Sequence, residues 1–196
     1  HSMNGEIEYI DNGLYPYIHI SQVYLPKINN FSNQLWKWTP ERDMFIDYSS
    51  KKGENKCGWS WGGKFIDINN DGEFELVVGN GFISSGKKID HKEYWYHGSV
   101  IAKLTAKKME DVSFWYPMEG YSQGGFQKNC LFVKNKKGLF EKRNNPEGVN
   151  LNNYDARSVT MIDYQNNGKN DLIISNQNQK VEFLKNDSTN NNQWIG

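Results

Sequence analysis

An excess of either charge is missing from this chain. Lys and Arg total 23, Asp and Glu total 23, and the formal net charge at pH 7 is zero. A nucleic-acid-binding surface needs a basic face, so this balance argues against one. The short run Lys134-Asn-Lys-Lys137 reads instead as a solvated hairpin turn. Long apolar runs are missing too, which argues against a helical membrane span. Cysteine is limited to Cys57 and Cys130, whose spacing forms no zinc motif. The residues leave open a disulfide, allowed in an oxidising compartment, and a pair of buried thiols. Histidine is limited to His1, His19, His91 and His97, with no His-Glu-x-x-His pattern. A Gly-x-Ser-x-Gly elbow and a phosphate loop are also missing. Asp90 and Glu93 lie near His91 and His97, and solvated loop polar groups account for them. The expectation is a protein without catalytic residues of its own. No signal peptide is legible.

What is present is a phrase of oxygen-bearing residues, Asp67-Ile-Asn69-Asn-Asp71-Gly72-Glu73-Phe-Glu75-Leu76. Counting Asp67 as position 1, side-chain oxygens fall at positions 1, 3, 5 and 9, with glycine at 6. That spacing wraps a short loop around a hard cation such as calcium. Glycine suits position 6 because the backbone must turn sharply there at little steric cost. An EF-hand would need a glutamate at position 12 and a helix on each side. Position 12 is Val78, and the flanks Lys64-Phe-Ile66 and Phe74-Glu-Leu-Val-Val78 read as strands. The sequence therefore predicts a calcium loop between two β-strands. Its ligands would be the side chains of Asp67, Asn69, Asp71 and Glu75, completed by the Glu73 carbonyl. Three carboxylates against a doubly charged ion leave a local charge of −1, compatible with binding at roughly 10⁻⁴–10⁻³ M as in extracellular modules. The ion would hold Asp67 and Asp71 ionised, so the two are not a general acid–base pair.

The phrase recurs. Asp163-Tyr-Gln165-Asn-Asn167-Gly168-Lys169-Asn-Asp171-Leu172 keeps the first and last carboxylates and the glycine. Gln165 and Asn167 replace stronger ligands, and Lys169 adds a positive charge, so a weaker or empty site is expected. An eroded third copy, Glu8-Tyr-Ile-Asp-Asn12-Gly13-Leu-Tyr-Pro16, aligns on its glycine and has lost most ligands. A second element follows each loop: Asn33-Gln-Leu-Trp-Lys-Trp38, Asn129-Cys-Leu-Phe-Val-Lys134 and Lys180-Val-Glu-Phe-Leu-Lys185 read as equivalent strands. The first two lead into Asp43-Met-Phe-Ile-Asp47 and Gly138-Leu-Phe-Glu-Lys142. Asn135 to Gly138 suits a hairpin connection, where glycine supplies left-handed geometry. Long sequence periods of this kind mark arrays and propellers.

This pattern resembles the FG-GAP/VCBS repeat family, and most closely its cartilage-acidic-protein type with an ASPIC/UnbV C-terminal region. The resemblance rests on Gly58-Trp-Ser-Trp-Gly62 before the first loop and Asn80-Gly81 after it. It also rests on Leu184-Lys-Asn186-Asp187 and Asn192-Gln-Trp194. It implies an all-β fold built of β-propeller blades with calcium loops between strands, in units of about 1–49, 58–145 and 155–196. Propellers usually have four to eight blades, so three units imply part of a larger propeller, the favoured reading, or a ring completed by a second chain, or a small open array. Because unpaired strand edges invite association, association with further blades or a second chain is expected. His1-Ser2-Met3 reads as a tag remnant or as native sequence ahead of the first loop.

An insert over residues 82–127 separates the second and third strands of the middle unit. It carries Tyr94, Trp95, Tyr96 and His97, and later Trp115. These form a candidate surface for a glycan or protein partner, or else pack the insert onto the blades. Gly98 to Asp111 has apolar spacing compatible with a short helix. Trp59 and Trp61 read as packing residues. The functional expectation is a non-enzymatic calcium-binding module, extracellular, cell-surface or periplasmic, that binds protein or carbohydrate. The alternative is an accessory or substrate-binding subunit of a larger enzyme complex.

Overall fold

A computed structural model describes residues 7–10, 17–25, 30–47, 57–90, 120–143 and 151–189. The insert's aromatic residues Tyr94, Trp95, Tyr96, His97 and Trp115, and the helix expected over 98–111, lie outside the described residues. The described residues form an all-β structure, and among them no helix is long and apolar enough to cross a membrane.

Strands β1 (Ile7–Ile10), β2 (Tyr17–Leu25), β3 (Asn30–Thr39) and β4 (Met44–Asp47) form the first sheet, in chain order and antiparallel. Strands β5 (Ser60–Ile66) and β6 (Glu75–Asn80) open the second sheet. The chain then leaves it through β7 (Lys87–Asp90) and β8 (Tyr121–Ser122), a separate parallel pair. It returns as β9 (Cys130–Lys134) and β10 (Phe140–Arg143). The third sheet holds β11 (Ala156–Ile162), β12 (Asp171–Asn176) and β13 (Glu182–Leu184), again sequential and antiparallel. In all three larger sheets each strand thus pairs antiparallel with the next strand of the same sheet, β6 with β9 in the second. Antiparallel neighbours need only short turns, and Asn135 to Gly138 makes one. Gly138 takes a φ of 74° and donates to the Asn135 carbonyl at 2.8 Å.

The second sheet lies between the other two, which explains why β5 and β6 are buried along almost their whole length. Successive side chains point to opposite faces of a strand. One face carries Phe65, Leu76, Val78, Phe132 and Phe140 into a core joined by Leu35 of β3. The other carries Ile66, Val77 and Leu131 into a core completed by Ala156, Val159, Leu172 and Ile174 of the third sheet. A disulfide, Cys57–Cys130, is buried in the first of these cores. Asn80, fully buried, donates its amide to the carbonyls of Cys57 and Lys128 beside it.

The strand pairs that flank the Asp67 and Asp163 loops share one register. Ile66 faces Glu75 across β5–β6, and Ile162 faces Asp171 across β11–β12. Val77 pairs with Leu131, and Ile173 pairs with Phe183. Phe183 is therefore the counterpart of Leu131, one residue away from its place in the sequence alignment. A shift of one reverses every face, so the correction decides which side chains meet a neighbouring sheet. The first unit departs further from the alignment. Glu8, Tyr9 and Ile10 pair with His19, Ile18 and Tyr17 inside the β1–β2 ladder, so the first positions of that eroded loop are strand. Residues 11–16, the rest of that loop, lie outside the described residues.

Candidate metal centre

The Asp67 loop leaves the end of β5 and re-enters the sheet at Glu75. The Asp67 carboxylate accepts N–H groups from Asp71 (3.0 Å) and Gly72 (2.9 Å). The Asn69 Oδ1 accepts from the Asp71 N–H at 3.1 Å, and the Asp71 Oδ1 from the Glu73 N–H at 2.8 Å. The Glu75 carboxylate reaches back to the Ile68 N–H at 3.0 Å. Such side-chain bonds to nearby backbone are the usual means by which Asp and Asn fix a turn. Asn70 at position 4 and Gly72 at position 6 both take positive φ, 56° and 85°. Around Gly72 an added Cβ would meet nothing within 4 Å, so glycine is needed there for conformation and not for space.

The Asp163 loop repeats the bonds of positions 1, 5 and 9. Asp163 accepts from Asn167 (2.9 Å) and Gly168 (2.7 Å), and Asn167 Oδ1 accepts from the Lys169 N–H (3.0 Å). Asp171 reaches back to the Tyr164 N–H at 3.2 Å. Asn166 and Gly168 have φ of 50° and 78°. Two differences matter chemically. The second oxygen of Asp171 is taken by the Asn186 N–H at 2.7 Å, and the residue is buried. The Lys169 ammonium turns away to the Ser188 carbonyl, so it does not lie over the loop, and Gln165 is exposed.

The two loops lie side by side at the same end of adjacent sheets. The Asn70 amide donates to the Gly168 carbonyl at 2.7 Å, and the Asn170 amide donates to the Asp67 carbonyl at 2.8 Å. The Asn186 amide donates to the Ile68 carbonyl at 2.7 Å. These three asparagines, which the spacing argument passes over, join the loops. Nothing in a single sequence separates them from solvated loop residues.

The donor chemistry of the Asp67 loop suits a hard divalent cation. The side chains at positions 1, 3, 5 and 9 all bring oxygen, and a carboxylate bonded to N–H groups keeps lone pairs to spare. Electrostatics points the same way. Burial pushes the Glu75 carboxyl up to about 7, and the nearby charges of Asp71 and Asp67 add to the rise, against the Ile68 N–H that pulls it down. The side chain of Glu73 points out to an ion pair with Lys134, which leaves its carbonyl as the group available to the loop. Among the described residues, no three Asp, Glu, His or Cys side chains converge on one point as a metal shell would. A cation here would have to draw the carboxylates inward.

The insert is anchored firmly at both ends. Trp59 stacks on Phe82 with centroids 4.6 Å apart, and its N–H donates to Gln127 at 2.6 Å. Trp61 donates its indole N–H to the Gly81 carbonyl at 3.0 Å. Both tryptophans are packing residues in this arrangement. Buried Asp155 accepts from the Ser84 N–H at 2.5 Å and the Ser84 hydroxyl at 2.7 Å. The Arg157 guanidinium donates to the Gly81 carbonyl at 2.8 Å and lies 4.7 Å from the Trp61 ring. Asp155 and Arg157 belong to the third sheet's segment, so the root of the insert bridges two sheets.

No family model matches the chain, and neither a curated protein nor a solved structure matches it.

Proposed function

We propose that this chain is a non-enzymatic, calcium-binding β-propeller module of the FG-GAP/VCBS type. The observation that carries the reading is the pair of loops with one hydrogen-bond pattern, one φ pattern and one strand register in adjacent sheets. Three sequential antiparallel meanders stacked face to face are the arrangement expected of propeller blades. Calcium would be held by Asp67, Asn69, Asp71 and Glu75 with the Glu73 carbonyl. Its chemistry there is electrostatic, setting two positive charges among three carboxylates. The second loop, with Asp163, Gln165, Asn167, Asp171 and the Lys169 carbonyl, would bind more weakly. Its buried and fully engaged Asp171 favours a metal-free structural turn.

The disulfide supports an oxidising setting, extracellular, cell-surface or periplasmic. The anchored insert supports a binding role, since long loops held by a rigid scaffold are where recognition residues concentrate. Tyr94, Trp95, Tyr96, His97 and Trp115 would meet a protein or glycan. Calorimetric titration of the full chain with calcium tests the metal reading. One site at roughly 10⁻⁴–10⁻³ M, lost in Asp67→Ala, is expected. Absence of binding at 10 mM calcium, about ten times the weaker end of that range, would sink it.

A further inference from the structure

Sheet equivalence in this chain has a consequence at its outer faces. Both internal interfaces are built alike. In each, the face bearing Leu35 or its counterpart Leu131 meets the opposite type of face on the next sheet, bearing Leu76, Val78 and Phe132 or their counterparts Leu172, Ile174 and Leu184. Ile66, Val77 and Leu131 are 0%, 0% and 4% exposed because the third sheet covers them. By register, their counterparts on the third sheet are Ile162, Ile173 and Phe183. Ile162 is 42% exposed and Phe183 is 47% exposed, with Tyr164 set edge-on against Phe183 at 5.5 Å. Among the described residues, the third sheet therefore carries an outer face of the covered type without a sheet packed on it.

The first sheet carries the matching half. Trp38 pairs with Phe45 across β3–β4, as Lys134 pairs with Phe140 across β9–β10. Phe45 is thus the counterpart of Phe140, which is buried against Phe65. Leu35 points toward the second sheet, and strand alternation sends Trp38 and Phe45 to the opposite face. Their rings meet edge-on at 5.1 Å.

We propose that the outer face of the third sheet docks onto the outer face of the first sheet of a second copy of this chain. The contact is head-to-tail, repeating the two interfaces already present within one chain. A head-to-tail contact either closes into a ring or grows into a filament. Among the described residues, two copies supply six of the larger sheets, within the usual range of four to eight blades, whereas three copies would exceed it. The expected assembly is a closed dimer with both contacts made. The inference rests on the propeller reading proposed above together with strand register and burial, and does not depend on calcium.

Light scattering on the full chain after size exclusion tests it, across a concentration series. The expected mass is twice the 22.8 kDa of one chain. Phe183→Lys and Phe45→Lys should each convert the dimer to monomer. Their equimolar mixture should regain a dimer, because one intact interface survives between a Phe183→Lys copy and a Phe45→Lys copy. Thr160→Lys, an exposed change on the same face as Ile173 and Phe183, should also yield monomer, and it guards against misfolding of the Phe183 variant. A monomeric wild-type chain would overturn the proposal and leave the face to a further sheet of a longer polypeptide or to a different protein. A dimer that survives Phe45→Lys but not Phe183→Lys would also overturn it, because that pattern means two third sheets meeting each other.

Discussion

Replacing Asp67 with alanine and, separately, Asp163 with alanine separates two roles that one carboxylate can play. Each aspartate accepts two backbone N–H groups, at 3.0 and 2.9 Å for Asp67 and at 2.9 and 2.7 Å for Asp163. In chelator, both variants should lose the same thing. The Asp71 N–H keeps Asn69 Oδ1 as an acceptor. The freed N–H groups of Gly72 and Asn167 lie on exposed residues and that of Gly168 on a partly exposed one, so water replaces much of the bond. The net cost is about 1–2 kcal/mol in each case. For a domain of this length that is a fall of roughly 2–8 °C in Tm. Calcium should then distinguish them. With calcium at about one hundred times Kd, a native-state ligand adds about 2.7 kcal/mol, or roughly 5–11 °C. Wild type and Asp163→Ala should show most of that rise, and Asp67→Ala almost none. The assay is a thermal melt by near-ultraviolet circular dichroism, with and without calcium at matched ionic strength. Equal calcium increments in all three proteins would refute the assignment of the ion to the Asp67 loop. No increment in any of them, with cooperative melts throughout, would mean that both loops are hydrogen-bonded turns and nothing more.

Three further perturbations test other parts of the argument. Gly72→Ala and Gly81→Ala both force alanine into positive φ, but only at Gly81 would the new Cβ meet atoms at 2.8 Å, from Asp155 and Tyr154. Chemical denaturation should give about 1 kcal/mol for Gly72→Ala, the cost of the backbone conformation, and at least twice that at Gly81; equal losses would contradict the close packing there. Opening Cys57–Cys130 by double substitution to alanine should cost about 2–4 kcal/mol, since the bridge spans 73 residues of chain, and a loss below about 0.5 kcal/mol in urea titration would contradict that. In chelator, stability should fall as pH rises from about 4.5 to 7. The folded Glu75 carboxyl sits near 7 against 4.5 as its ordinary value, so in that window the native state holds the proton more tightly than the unfolded chain. Half exposure reduces the effect to about 1–2 kcal/mol, and Glu75→Gln should flatten the slope; an unchanged slope in that variant would assign it to another group.

The loops were legible in the sequence because their conformation is set locally. A short polar side chain every second residue and a glycine at position 6 fix the turn through bonds spanning two to five residues. The strands flanking them were legible for the same reason, apart from Phe74, which precedes β6 and packs from the loop against the first core. What lay beyond the sequence was tertiary. Val181-Glu-Phe-Leu184 places two apolar residues side by side, so its alternation has no unique phase, and the register with β12 decides that Phe183 and not Leu184 shares the outer face. Asp155 and Arg157 read as surface charges by type, yet Asp155 is buried under Ser84, and burial lowers the Arg157 guanidinium pKa even though Asp155 opposes the shift. Their partners are some seventy residues distant in the chain, and no local pattern encodes such a meeting. That distance also gives the pair its importance. A buried carboxylate left without its donors is costly, so the root of the insert can leave Asp155 only at the expense of both sheets. The root of the insert is therefore tied into the fold's own polar core through Asp155 and Arg157.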